Sequence, residues 1–185
     1  QLQLEQAGYR YIGMGHFALA DDDFAYAQED GTLQQGIQGY STSANCDTVG
    51  FGVSAVSQLG NLYYHNSHDI NSYQTACRNQ QLPPATGVLC TKKDQIHRAV
   101  IQALTCQFEV NFSAIEQRFA IDFASYFALQ WPQLLRMQSN GLLELSEQKL
   151  SITAPGRLYT LTVCQLFDDY LAQDTNQTPS LVQMM

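Results

Sequence analysis

Two consecutive prolines, Pro83 and Pro84, constrain this chain more than any other local feature. A proline removes a backbone donor and fixes φ, and it also restricts the residue before it. Leu82-Pro83-Pro84 therefore cannot lie inside a helix or a central strand, and it is the best candidate for a boundary between two halves. The 185 residues suffice for one domain or two small ones, each with a real core.

Downstream of the prolines the pattern is helical. Thr91-Lys92-Lys93-Asp94 opens a helix whose apolar stripe is Ile96, Ala99, Val100, Ala103 and Leu104. Ser113-Ala114-Ile115-Glu116 reads as a capping box, in which serine and glutamate satisfy each other's backbone N–H groups. A further helix contains Pro132, which fits only near a first turn, and stops at Asn140-Gly141. Leu142 to Leu145 and Leu150 to Ile152 read as a hairpin around Ser146-Glu147-Gln148, and Thr153 caps a last helix running to about Leu171. Helices, a hairpin and a closing helix predict a winged-helix-like domain over residues 90–172, followed by a loose polar tail over 173–185.

Upstream, residues 1–89 mix strand and helix signals. Tyr9 to Ala18 contains a short strand ending near His16, and Asp21, Asp22 and Asp23 cap a helix stopped by Gly31. Gly36 to Ser43 reads as a glycine-rich loop. Val49 to Leu59 is apolar or small on both faces, as in a strand buried on both sides. Leu62-Tyr63-Tyr64 and Thr86 to Leu89 read as further strands, with a helix over His68 to Gln80 marked by Ile70, Tyr73 and Cys77. Glycine weakens a strand unless something approaches closely, so Gly50 and Gly52 point to a neighbouring backbone or a ligand.

Composition excludes several functions. Nine Lys and Arg against seventeen Asp and Glu give a net charge of −8, without the basic cluster that nucleic acid requires. The last helix carries Arg157 but then Asp168 and Asp169, which argues against reading DNA. No apolar run approaches the ~20 residues of a membrane span. Gln1-Leu2-Gln3-Leu4-Glu5-Gln6 reads as the end of a helix already under way, as in a fragment. Five cysteines, Cys46, Cys77, Cys90, Cys106 and Cys164, stand too far apart for a metal clip and read as buried reduced thiols of a cytosolic protein. His65 and His68 read as surface histidines, and His16 as a structural one.

Three segments carry a family resemblance. Gly13-Met14-Gly15-His16-Phe17-Ala18, Gln38-Gly39-Tyr40-Ser41-Thr42 and Gly50-Phe51-Gly52-Val53-Ser54-Ala55-Val56-Ser57 resemble motifs of the oxygen-independent coproporphyrinogen III oxidases, radical S-adenosylmethionine (SAM) enzymes of haem biosynthesis. The similarity continues through Gly141-Leu142, Thr153-Ala154-Pro155-Gly156-Arg157-Leu158 and Phe167-Asp168-Asp169-Tyr170-Leu171, and it matches the C-terminal part of such an enzyme. It departs where the family has G-M-D-H-F-A and Gly15 replaces the acid, and where Gln35-Gly36-Ile37 replaces a basic residue, Asn and Phe. The haem-chaperone branch, with its H-N-x-x-Y-W signature, is a weaker match, since no Tyr-Trp follows His65-Asn66-Ser67-His68.

The resemblance implies an α/β then mainly α fold. Residues 1–89 would be the C-terminal end of a radical SAM, partial TIM-type barrel, and residues 90–172 the winged-helix-like domain covering it. It implies SAM contacts at Val56 and Gln38. The four-iron–four-sulfur (4Fe-4S) cluster would be held by an N-terminal part absent from this chain, and that part would be its partner together with coproporphyrinogen III. The intact enzyme, expected to be a cytoplasmic monomer, would convert two propionates to vinyl groups after a 5′-deoxyadenosyl radical abstracts hydrogen from each. A non-catalytic haem- or tetrapyrrole-binding paralogue is the alternative, and a free-standing interaction domain a third reading. No residue of this chain is assigned as acid, base or nucleophile.

Overall fold

A computed structural model describes residues 2–43, 46–83 and 85–173. Contacts group residues 1–44 with 96–185 in one unit and set residues 45–95 apart as a second.

The first unit opens with α1 (Leu2–Gln6), then β1 (Tyr9–Gly13) and β2 (His16–Leu19), an antiparallel hairpin that pairs Tyr11 with Phe17. The expected single strand is thus two, reversed at Met14-Gly15. Next comes α2 (Asp23–Glu29), capped by Asp22, whose Oδ1 accepts from Phe24 N at 2.8 Å. The expected loop over Gly36 to Ser43 is instead mostly a second hairpin, β3 (Gln34–Gly36) with β4 (Gly39–Ser41), turned by Ile37 and Gln38. Its strands are too short and too glycine-rich to show an alternating pattern.

The second unit holds β5 (Val56–Leu59), β6 (Leu62–Asn66), α3 (Ile70–Arg78) and β7 (Ala85–Leu89), with the strands in the order β5-β6-β7 and every pair antiparallel. The long buried strand expected over Val49 to Leu59 is corrected. Only its last four residues are strand, because Gly52 (φ +113°) and Ser54 (φ +61°) turn the backbone out of the extended region. Phe51 is accordingly 89% exposed. Asp69 caps α3, accepting from Ser72 N at 2.7 Å, but the helix buries Ala76 and not Ile70 or Cys77.

α4 (Lys92–Gln107) begins at a reciprocal cap in which Asp94 Oδ2 accepts from Thr91 N and Oγ1 while Thr91 Oγ1 accepts from Asp94 N. There follow β8 (Glu109–Asn111), α5 (Phe112–Phe119), α6 (Phe123–Tyr126), α7 (Trp131–Ser139), β9 (Leu143–Leu145) and β10 (Lys149–Ile152). The expected hairpin is present and gains β8, giving the antiparallel order β8-β10-β9. Pro132 sits in the first turn of α7, which ends at Asn140.

Two expectations fail here for local reasons. Ser113 is not the cap of α5. Asn111 accepts from Ala114 N, and Glu116 reaches forward to accept from Phe123 N at 2.9 Å. The last helix is three pieces: a 3₁₀ helix (Pro155–Tyr159), α8 (Thr160–Gln165) and α9 (Asp169–Gln173). Thr153 Oγ1 does accept from Gly156 N, as a cap should. However, Phe167 turns its carbonyl to accept from His97 Nδ1 at 2.6 Å, and Asp168 then caps α9 through Tyr170 N. Of the expected tail only Gln173 is described, and 174–185 lie outside the described residues.

The core of the first unit gathers Val100, Leu104, Val110, Phe127, Leu150 and Phe167, all fully buried. Tyr11 of β1 belongs to the same cluster, and Phe17 of β2 packs against it. The first hairpin is therefore fixed by the helices that lie much later in the chain.

Candidate functional site

Each unit carries one group of the motif residues. In the first, α2 ties the hairpin to α4: buried Gln28 donates from Nε2 to Ile12 O at 2.8 Å and to Cys106 O at 2.9 Å, and accepts from Arg10 Nε at 3.0 Å. Arg10 also pairs with Glu29. Tyr40, from the Gln38-Gly39-Tyr40 motif, donates its hydroxyl to Thr105 O at 2.9 Å, and its burial pushes the phenol well above its ordinary pKa. That strut explains Gly13: a Cβ there would come within 2.3 Å of the Tyr40 hydroxyl. Gln38 stands exposed at the tip between β3 and β4.

His16 lies at the first hairpin's tip, exposed, with Nδ1 3.2 Å from Met14 O and its ring edge-on to Tyr40 at 5.2 Å. No heavy atom lies within 4 Å of where a Cβ would stand on Gly15, so the aspartate of the resembled motif would meet no obstacle. Aspartate is also among the residues that tolerate a positive φ such as the +81° found here. The turn has space for an acid, a side chain at this φ carries backbone strain, and glycine relieves that strain while leaving the position uncharged.

In the second unit the Gly50-to-Ser57 segment is a pinned loop feeding β5. Ser57 Oγ accepts from Gly50 N (2.9 Å), Tyr73 Oη accepts from Gly52 N (2.9 Å), and Asn66 Nδ2 donates to Gly52 O (2.9 Å) and Gly50 O (3.3 Å). Ser57 and Asn66 are buried, so these bonds are shielded from water. The close approach inferred for Gly50 is real and comes from the chain itself, since a Cβ there would lie 2.5 Å from Val56 O. Val56 starts β5 opposite His65 and is half-buried. The His65 and His68 rings lie 4.6 Å apart, tilted by 38°, and Ser54 Oγ lies 2.7 Å from His68 Nδ1.

Sequence reasoning missed the pinning residues Ser57, Asn66 and Tyr73. Asn66 sat inside the His65-Asn66-Ser67-His68 string but was read there only as part of a weak signature. It also gave Arg157 no role. Arg157 borders an open hollow of about 410 Å³ formed with Tyr11, Met14, Phe17, Leu158 and Leu161.

The cysteines lack the close sequence spacing of an iron–sulfur motif, which is the ground for expecting no cluster on this chain. Burial pushes the Cys106 thiol up to about 11 and Cys164 to about 12. The expectation of five buried thiols holds only for Cys106 and Cys164, since Cys46 and Cys77 are exposed and Cys90 is half-buried. Among the described residues no three His, Cys, Asp or Glu side chains group as metal ligands. Anaerobic reconstitution of this chain with iron and sulfide should leave no stable charge-transfer band after desalting. A stoichiometric band in the visible spectrum would overturn that assignment.

The comparisons with known proteins agree on one family. The HemN C-terminal domain family matches residues 90–159. The oxygen-independent coproporphyrinogen III oxidase of Pseudomonas aeruginosa is 54% identical over 180 residues, covering 97% of this chain and 39% of that protein. The enzyme of the same name from Thermostichus vulcanus is 37% identical, with 95% of this chain and 54% of that protein covered. A solved structure described as coproporphyrinogen III oxidase (HemN) from Escherichia coli, a radical SAM enzyme, superposes with a TM-score of 0.85 at 38% identity, over 92% of this chain and 39% of that one. The chain therefore carries a HemN C-terminal domain over residues 90–159, and nearly all of it is similar to part of the oxygen-independent coproporphyrinogen III oxidases. It spans about two fifths of the length of the Pseudomonas aeruginosa relative. Among the described residues no helix is long and apolar enough to cross a membrane.

Proposed function

We propose that this chain is the C-terminal portion of a cytoplasmic, monomeric radical SAM enzyme that oxidatively decarboxylates two propionates of coproporphyrinogen III, giving protoporphyrinogen IX. The observation that carries this reading is the 54% identity, over nearly the whole chain, to a protein named for that activity. SAM together with a reduced 4Fe-4S cluster supplies the hydrogen-abstracting chemistry such a reaction needs. The cluster ligands belong to a segment outside this chain, so the 185 residues alone are inactive. Val56 offers a half-buried apolar contact for SAM, held in place by the pinned loop, and Gln38 offers a single polar one.

Residues 1–89 complete the catalytic barrel in this reading, and residues 90–172 form a winged-helix-like module. Support for the second lies in the succession α4, α5 and α7 followed by the β8-β10-β9 sheet, and in a family match that starts at residue 90. Support for the first is the high TM-score against a radical SAM enzyme.

A chimera tests the reading, with this chain replacing the matching portion of the Pseudomonas aeruginosa relative. Given SAM, a low-potential reductant and coproporphyrinogen III under anaerobic conditions, the chimera should form protoporphyrinogen IX, read as protoporphyrin by chromatography after oxidation. A chimera that loads its cluster and binds tetrapyrrole but never turns over would instead support the non-catalytic paralogue, which the loss of the acid at Gly15 favours.

A further inference from the structure

Arg157 is held in an uncommon way. Its guanidinium lies over the Phe108 ring, 4.7 Å from the centroid, and its Nε is buried without a hydrogen-bond partner. Among the described residues no carboxylate pairs with it, although the chain carries seventeen Asp and Glu. Arginine stays charged at any relevant pH, and buried polar groups in folded proteins are nearly always paired. An arginine left in this state needs an explanation.

Its surroundings supply one. The hollow that Arg157 borders is walled by Tyr11 and Phe17 from the first hairpin and by Leu158 and Leu161 from the segment around α8. Leu158 is 69% and Leu161 46% exposed, so apolar surface faces water beside the only cation among the lining residues. None of those residues is acidic. A molecule with an apolar body and a carboxylate at its edge fits both features, since guanidinium and carboxylate form paired, charge-assisted hydrogen bonds. At about 410 Å³ the open hollow takes one edge of a macrocycle and leaves the rest projecting. A protein of net charge −8 repels an acidic ligand in general, so a local cation is what would permit its approach.

We propose that Arg157 anchors a propionate carboxylate of the tetrapyrrole, with Tyr11, Phe17 and Leu161 supporting the adjoining edge of the macrocycle. This rests on the tetrapyrrole chemistry assigned above. The step is binding only, and no bond is made or broken there. Gly15 lines the same hollow, so the glycine that replaces the family's acid also leaves the cation without a competing carboxylate.

The test uses the 185-residue chain and the fluorescence quenching of coproporphyrin III, a stable tetracarboxylate, against its tetramethyl ester, which keeps the macrocycle and loses the charge. The wild type should prefer the acid by roughly tenfold or more, the size expected for a hydrogen bond between charged partners. Arg157→Ala should abolish that preference and Arg157→Lys should keep part of it. Because Arg157 packs on Phe108, circular dichroism and a melting curve accompany each variant. Leu158→Glu, at an exposed position that cannot unfold the chain by burying charge, should weaken acid binding by repulsion while sparing the ester. A wild type without acid preference, or a folded Arg157→Ala that retains it, overturns the anchor. The chimera's turnover reads the catalytic assignment separately: turnover alongside an Arg157-independent preference removes the anchor alone, and a preserved preference without turnover removes catalysis alone.

Discussion

Val56→Asp in the cluster-loaded chimera should weaken SAM binding by about 1–3 kcal/mol, or roughly fivefold to 150-fold, because an apolar contact becomes a charge that must be desolvated. The structure makes this a clean substitution. Val56 begins β5 and is half-buried, so an aspartate there can stay hydrated when SAM is absent and the fold should survive. The loop before it is anchored independently through Ser57, Asn66 and Tyr73, so its course does not depend on the side chain at 56. On the proposed reading the cluster is held by a segment outside this chain, so it should still assemble and give the same spectrum. Gln38→Ala should act in the same direction but less, about 0.5–1.5 kcal/mol, since an exposed turn residue contributes at most one hydrogen bond. Titration calorimetry measures both. Unchanged SAM affinity in a folded Val56→Asp variant would mean that the Gly50-to-Ser57 segment is packing alone, and the site would be withdrawn.

The largest stability loss is expected at Phe127. Its side chain is fully buried and meets four rings: Phe123 at 4.7 Å, Tyr126 at 4.9 Å, Phe167 at 5.1 Å and His97 at 5.3 Å. Phe127→Ala removes these contacts and leaves a cavity that rigid neighbours cannot fill, at a cost of about 3–5 kcal/mol. A domain of ordinary stability has about 5–15 kcal/mol in total, so the variant should approach unfolding at modest urea. Two residues on, Leu129 is 89% exposed, and Leu129→Ala should stay within about 0.5 kcal/mol. Urea denaturation of both variants checks the contrast. A Phe127→Ala loss below about 1 kcal/mol would show that the aromatic cluster is loosely packed and can collapse around the gap.

Phe127 also shows how the fold was and was not legible. The stripe Ile96, Val100 and Leu104 predicted α4 correctly because a helix repeats its buried face every three to four residues. No helical stripe marks Phe127, which follows the four-residue α6 and packs not only on nearby Phe123 and Tyr126 but on His97 and on Phe167, forty positions later. Glu116 illustrates the same point for a cap. Its spacing from Ser113 fitted a capping box, yet the glutamate bonds to Phe123 N, because Asn111 had already started the helix.

For the site, the motif strings named Val56, Gln38 and the glycines, and the comparisons support the family those strings suggested. They did not say what the glycines were for. Gly50 admits the backbone of Val56, and Gly13 makes room for the hydroxyl of Tyr40. Neither relation can be read from spacing, since each depends on where another part of the chain arrives.

By itself the sequence determined the features that rest on neighbours within a few residues: the Asp22 and Thr91 caps, the first-turn position of Pro132 and the β9–β10 hairpin. Those interactions are made by any chain with these residues in this order, because a helical turn or a tight reversal brings them together. The tertiary structure alone decided that Asn66 and Tyr73 pin the glycine loop, that Tyr40 braces the end of α4, that His97 interrupts the last helix at Phe167, and that Arg157 rests on Phe108 at the rim of an apolar hollow. Each of these joins residues many positions apart, whose meeting is set by core packing and leaves no periodic trace in the sequence.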